Sequence, residues 1–334
     1  MTGPLDALSE EDRAALEAAP HPDWEAPMLA TLTDDRFSDP GWLYERKLDG
    51  ERALAFRDGD RVRLLTRNRK ELGQTYPEIA EALGKATPED FVADGEIVAF
   101  EGGVTSFSRL QARMQIEDAE AARESDVRVF YYLFDLLHLD GQDLTALPLR
   151  ARKTVLKRAF DFADPIRFTP HRVEDGEAFF REACDKGWEG VIAKRAGAPY
   201  VHSRSRDWLK FKCAAGQELV IGGFTEPEGS RKGFGALLVG YYEDGALRYA
   251  GKVGTGFDDA FLESFRERLD GLSRKTPPFE DPPSGDDVTW VSPELVAEIG
   301  FTEWTSHGKL RHPRFLGLRD DKDPRDVTRE RPAA

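Results

Sequence analysis

The sequence predicts an α+β protein of two domains, a larger mixed domain followed by a smaller all-β one. Three observations predict it. The chain has 334 residues, more than one core of ordinary size needs. Up to about Gly216, strand-like runs alternate with helical segments such as Tyr76 to Leu83, opened by a proline in its first turn, and Glu177 to Lys186. Beyond Gln217 the texture changes to short strands with a single helical stretch.

Taken in order, Met1 to Trp24 is acidic and helix-like, without a basic-then-apolar signal pattern, and is read as an extension over residues 1–24. The larger domain is placed at 25–217 and the smaller at 218–334. In the larger domain Tyr44-Glu45-Arg46-Lys47-Leu48-Asp49-Gly50-Glu51-Arg52 is the most informative run. Strand alternation places Glu45, Lys47 and Asp49 on one face, and Gly50 permits a sharp turn. Val92 to Val98 reads as a buried strand with Asp94 and Glu96 on one face, a costly placement unless they are paired or hold a metal. Tyr131 to Leu137 is an aromatic strand carrying Phe134, a ring to offer to a base. Glu189 heads the apolar strand Gly190 to Arg195. Trp208 to Cys213 alternates strictly, so Lys210 and Lys212 share a face suited to phosphate oxygens.

In the smaller domain Glu218 to Phe224 is a strand, and Ala236 to Tyr242 and Leu247 to Val253 flank a hairpin turn centred on Asp244-Gly245. Asp258 to Leu272 is helical, and Thr276 to Pro283 is a proline-extended loop. Short strands with one helix suit a barrel of the OB type. Arg319-Asp320-Asp321-Lys322 closes the series of charged motifs.

A lysine in such company points to nucleophilic chemistry. An amine must be neutral to attack phosphorus, and a lysine of pKa ~10.4 is neutral about once in a few thousand molecules at pH 7. Burial and nearby cations are expected to lower that pKa.

Lys47-Leu48-Asp49-Gly50-Glu51-Arg52 resembles the K-x-D-G-x-R motif of the covalent nucleotidyltransferases. The strands carrying Glu96, Phe134, Glu189 and Lys210/Lys212, with Arg319-x-Asp321-Lys322, follow in the order of the further motifs of ATP-dependent DNA ligases. Pro27-Met28-Leu29-Ala30 and Leu310 to Lys322 are similar to the ligase module of the bacterial and archaeal end-joining ligase D group. The resemblance runs from about Pro27 to about Glu330. It departs at Thr66-Arg67-Asn68-Arg69, where the family often has glycine in the fourth position.

The resemblance implies a nucleotidyltransferase (adenylation) domain followed by an OB-fold domain. Neither the N-terminal helical domain of large eukaryotic ligases nor the polymerase and phosphoesterase modules of multidomain end-joining ligases are expected in this chain. ATP would be the nucleotide, with Mg or Mn as divalent metal. Lys47 would carry AMP, and Glu45 would help read adenine. Phe134 would stack on the base, and Arg52 and Arg67 would contact ribose or phosphates. Glu96 and Glu189 would face the metal and sugar, and Lys210 and Lys212 would bind the α-phosphate. Arg319, Asp321 and Lys322 would align the pyrophosphate. Nicked or broken double-stranded DNA would be the substrate, with a Ku-type end-binding protein and a separate repair polymerase as partners. An RNA ligase, a capping-type nucleotidyltransferase and a non-catalytic OB-fold DNA-binding module are the competing readings; intact Lys47, Lys210 and Lys212 argue against the last.

Net charge −15 is the strongest objection to a nucleic-acid enzyme. The basic residues nevertheless cluster at Arg61, Arg63, Arg67, Arg69 and Lys70, and at Arg204, Arg206, Lys210 and Lys212, as tracks for a phosphate backbone. No apolar run is long enough to span a bilayer, and a prokaryotic cytoplasmic setting is expected. Cys184 and Cys213 are expected as reduced thiols, since neither lies in a C-x-x-C.

Overall fold

The computed structural model describes residues 3–227, 229, 232–284 and 287–332. The chain divides into two compact units: one runs up to Cys213 and takes in Arg331, the other spans Ala214–Glu330.

The first unit is built on two sheets. The larger, eight-stranded sheet runs Glu17–Ala18, Gln142–Asp143, Val129–Leu139, Asp90–Glu101, Glu51–Asp58, Arg61–Thr66, with Ile166–Phe168 and Val104–Thr105 attached. The smaller has five strands in the order His171–Val173, Trp42–Lys47, Gly190–Arg195, Arg204–Lys212, Leu29–Leu32. Period-two alternation distributes the Glu51–Asp58 strand between two cores. Ala53 and Ala55 face helices Pro77–Gly84 and Leu149–Ala159. Leu54 and Phe56 face a second core with Phe134 of the same sheet and with Met28, Tyr200 and Trp208. Helix Gly176–Asp185 covers the other face of the smaller sheet through Phe179 and Ala183, packed with Tyr44, Val191 and Phe211.

The acidic residues before Trp24 are part of this unit. Leu8 is buried in the main core, with Leu5 and Leu16 against it, on either side of a short helix capped by Ser9. The reduced-thiol expectation is corrected. Cys184 and Cys213 form a disulfide with Cα atoms 5.3 Å apart, tying the helix on the smaller sheet to the end of the Arg204–Lys212 strand. The two are 29 residues apart, so only the packing of helix on sheet brings them within bridging distance.

The second unit is a six-stranded sheet ordered Ala246–Val253, Leu237–Glu243, Gly216–Thr225, Val288–Gly300, Ser273–Arg274, with Arg314–Leu318 also on Val288–Gly300. Asp244 and Gly245 both have positive φ, 52° and 78°, as a tight hairpin of primed type requires. Helix Asp259–Gly271, capped by the Asp258 carboxylate on the Phe261 N–H, packs Leu262, Phe265 and Leu269 on the sheet's core. Among the described residues no helix is long and apolar enough to cross a membrane.

Candidate active site around Lys47

Strand register assembles the site. Gly190 lies opposite Lys47 on one side and Lys212 on the other; Ile192 likewise faces Glu45 and Lys210. The central strand therefore aligns the lysines of its two neighbours across one sheet face. Position 190 has to be glycine: a Cβ would lie 1.9 Å from the Phe211 carbonyl O. Gly50 is also required, but by close approach rather than by a left-handed turn. Its Cβ would lie 2.2 Å from the Ile97 carbonyl O.

Lys47 Nζ sits 2.5 Å from Glu189 Oε2, and the two side chains are 21% and 26% exposed. Burial alone would lower the Lys47 pKa, and Lys212 pushes the same way. The Glu189 carboxylate outweighs both and holds Lys47 above the ordinary lysine value. This reverses the expected lowering. Burial would raise Glu189, but Lys47, Lys212 and Lys210 hold it below the usual carboxylate range. Glu96, half-buried on the neighbouring sheet, adds negative potential at Lys47. Two carboxylates with phosphate oxygens are the hard donor set that Mg or Mn takes. Asp49 has left the Lys47 face: its carboxylate accepts the Phe107 N–H, at the start of helix Phe107–Met114.

Glu45, expected to help read adenine, is enclosed by two lysines. It is 2% exposed and ion-paired to Lys153 and, at 2.6 Å, to Lys194. Burial would raise its pKa, yet the two cations hold it below the usual range. Lys194 is pushed down to about 8 by burial, against the opposing pull of Glu45. Its Nζ lies 4.1 Å from the ring centres of Phe134 and Trp208. Lys153 and Lys194 were not singled out from sequence. The available signal was Lys153's place between Leu149 and Leu156 on the apolar stripe of an amphipathic helix, where a lysine demands an acid.

Arg52 is likewise committed inward. Its guanidinium forms a bidentate pair with the fully buried Asp94, 2.5 Å on each side, and donates to the Met28 carbonyl at 3.2 Å. Tyr200 Oη donates to Asp94 at 2.6 Å and accepts the Met28 N–H at 2.8 Å. Phe134 lies between these groups, with Arg52 at 4.6 Å from its ring centre and Trp208 edge-on at 6.0 Å.

Arg67 follows strand Arg61–Thr66, in a turn closed by hydrogen bonds between Thr66 and Lys70 and from Arg69 N to the Thr66 carbonyl. Arg69 has φ 66°, the left-handed conformation in which glycine is ordinary. The departure from the family pattern thus keeps the backbone shape and carries a side chain in it, its guanidinium 5.1 Å from the centre of the Trp24 ring.

In the second unit Arg319 binds Asp321 bidentately, 2.9 Å at each contact, and both are buried. Lys322 Nζ lies 3.3 Å from Glu218 Oε1. Burial would weaken the charges of this pair. Their mutual attraction instead raises the Arg319 pKa and lowers that of Asp321. The run is an organised ion-pair network within its own unit.

Family models agree with this geometry. One described as "ATP dependent DNA ligase domain" matches residues 27–212, and one described as "ATP dependent DNA ligase C terminal region" matches 230–322. The chain belongs to the ATP-dependent DNA ligase family. It is 41% identical over 323 residues to the multifunctional non-homologous end joining protein LigD of Pseudomonas aeruginosa, covering 94% of this chain and 38% of that protein. Against the LigD of Mycobacterium tuberculosis H37Rv it is 37% identical over 314 residues, 91% of this chain and 40% of that one. The ligase therefore spans about two-fifths of the length of these relatives. A solved structure of a mycobacterial DNA ligase D complexed with ATP and MES matches with TM-score 0.65 and 35% identity, covering 92% of this chain and 98% of that one. The fold class is accordingly a nucleotidyltransferase domain followed by an OB-fold domain.

Proposed function

We propose that this ligase seals 5′-phosphate/3′-hydroxyl nicks in DNA through lysyl-AMP and DNA-adenylate intermediates, in the service of break repair and end joining. The observation that carries the reading is Lys47 held beside Glu189, with Lys212 across Gly190 on the same sheet face. In the first step Lys47 Nζ attacks the α-phosphorus of ATP. The N–P bond forms, the bond to the β-phosphate breaks, and pyrophosphate leaves. AMP then passes to the 5′-phosphate of the nick, and the 3′-hydroxyl displaces it.

While the ion pair stands, Lys47 is an ammonium and inert. Release of Glu189 from Lys47 frees the amine, because burial and Lys212 both favour the neutral form. Glu96 and Glu189 would hold the divalent metal, which supplies charge neutralisation to the phosphates. Lys210 and Lys212 hold the α-phosphate in line, and Phe134 underlies the base. Arg319, Asp321 and Lys322 serve pyrophosphate departure, and Arg67 contacts ribose or phosphate. Positioning and charge stabilisation supply most of the catalysis.

The test is incubation of the pure protein with labelled ATP and metal, followed by gel analysis for a covalent adduct and by a nick-sealing assay. An adduct formed with ATP and chased into sealed DNA is expected. Comparable labelling with GTP would move the protein to the capping class, and sealing confined to RNA would make it an RNA ligase. A Ku-type protein and a separate polymerase are the partners this role would call on.

A further inference from the structure

A second constellation lies outside the nucleotide site. His21 Nδ1 is 2.8 Å from Asp90 Oδ1, and His138 Nε2 is 3.1 Å from the same oxygen. The ligand atoms of the three residues all lie within 4.8 Å of one another, the only such convergence among the described residues. The side chains of His21 and His138 are 13% and 3% exposed, and the two rings stand nearly perpendicular with centres 5.4 Å apart.

Hydrogen bonding alone accounts for this arrangement poorly. Two imidazoles and the Gly141 N–H all converge on the one Asp90 carboxylate. His21 Nε2 is buried with no hydrogen-bond partner. Either tautomer of His21 therefore leaves a buried nitrogen unsatisfied, at about 1–3 kcal/mol. Ligation through Nδ1 leaves Nε2 as it is, and its gain exceeds that cost several-fold. Zinc at ~2.0–2.1 Å from each donor needs neighbouring donors about 3.3 Å apart, against the 2.8 and 3.1 Å that separate His21 and His138 from Asp90 Oδ1. We propose that His21, Asp90 and His138 form a structural site for a borderline transition-metal dication, zinc foremost, which staples the N-terminal strap to the end of the larger sheet.

The donor set selects the metal. Two imidazoles and one carboxylate suit zinc, cobalt or nickel rather than magnesium, and three protein ligands leave a fourth position for water.

The location gives the staple its purpose. Asp90 and Asp94 lie on one strand, and Phe134 and His138 on its neighbour, where Val92 pairs with His138 and Asp94 with Asp135. The strap that begins at His21 stacks Trp24 on Phe56, with ring centres 6.1 Å apart. It ends at Met28, whose backbone is held by Tyr200 and Arg52. Fixing His21 thus fixes the chain leading to the groups around Phe134.

The test uses the full chain, stripped by a chelator and desalted. Cobalt(II) chloride is titrated in without nucleotide, with excess magnesium chloride competing at the carboxylate site of Glu96 and Glu189. The visible bands of four-coordinate, nitrogen-ligated cobalt are expected, saturating at one equivalent per chain and displaced by zinc. His21→Ala and His138→Gln should each weaken cobalt binding about a hundredfold, since loss of even an outer-shell partner costs 10–100-fold. Glu189→Gln should retain the spectrum. Absence of nitrogen-ligated bands in the unaltered protein overturns the proposal, and that readout needs no variant to fold. Undiminished binding in His21→Ala, which alters only the strap, overturns it as well.

Discussion

Two carboxylate–lysine clusters share the strand Trp42–Lys47, two residues apart on one face, and they behave oppositely. Glu45 is almost fully buried between Lys153 and Lys194. Lys47 and Glu189 pair directly, each side chain about a quarter exposed, with Lys212 and Lys210 adding positive charge at Glu189. The chemistry of the partners is the same; the access to solvent differs. A buried acid with two cations is locked, because removing the acid leaves two buried cations uncompensated. A pair that keeps access to solvent exchanges partners at lower cost, and the nucleophilic role proposed for Lys47 needs that exchange. Conserving charge on a strand is therefore not enough to identify the working residue: its burial decides.

The largest test of the contrast is Lys47→Ala, expected to abolish covalent labelling by ATP. The fold should survive, seen as an unchanged circular dichroism spectrum, and sealing of a pre-adenylated nick should persist. Labelling that survives would sink the role given to Lys47.

Glu45→Gln attacks the locked cluster instead. Leaving two buried ammonium groups without their carboxylate should cost about 3–5 kcal/mol in denaturant unfolding. Glu189→Gln should cost less, about 1.5–3 kcal/mol, the range of a hydrogen bond to a charged group. Equal losses would erase the distinction between the two clusters.

Phe134→Ala should raise the ATP concentration needed for half-maximal labelling about tenfold, from a stacking contribution of ~1–3 kcal/mol. An unchanged requirement would place the base elsewhere.

The pH dependence follows from the direction of the Lys47 shift. A raised lysine contributes its ion-pair stability fully below the unfolded value of ~10.4 and loses it as pH rises through the higher folded value. Glu189, depressed, contributes above ~4.3 and loses its share as pH falls through the lower folded value. Modification of Lys47 by an amine-selective reagent should thus lag behind that of an ordinary lysine until strongly alkaline pH. In Glu189→Gln, burial and Lys212 remain without their opponent, and the profile should move to lower pH. A profile that does not move would mean the carboxylate is not what holds the proton.

The smallest expected effect is Arg69→Gly. Relief of the left-handed backbone is worth ~1–2 kcal/mol, and loss of the contact with Trp24 takes back about 0.5–1 kcal/mol. Unfolding should shift by about 0–1.5 kcal/mol toward stability. A clear destabilisation would show that the Arg69 side chain does more than tolerate its turn.

Much of this molecule was legible in the sequence because local rules governed it. Strand alternation gave Lys210 and Lys212 a common face, the Asp244-Gly245 turn announced its hairpin, and the order of short motifs identified the family. What the sequence left open depended on partners far along the chain. Lys153 meets Glu45 across 108 residues and Tyr200 meets Asp94 across 106. Cys184 meets Cys213 across helix and sheet. The pairing of Glu45 with Lys153 and Lys194, and of Arg52 with Asp94, was not readable, because a charged residue on a strand face shows its reach and not its neighbours. Whether a charge is spent inside the protein or kept for a substrate depends on burial and on which opposite charge lies within a few ångströms. Those are properties of packing between distant segments, and only the tertiary structure decided them.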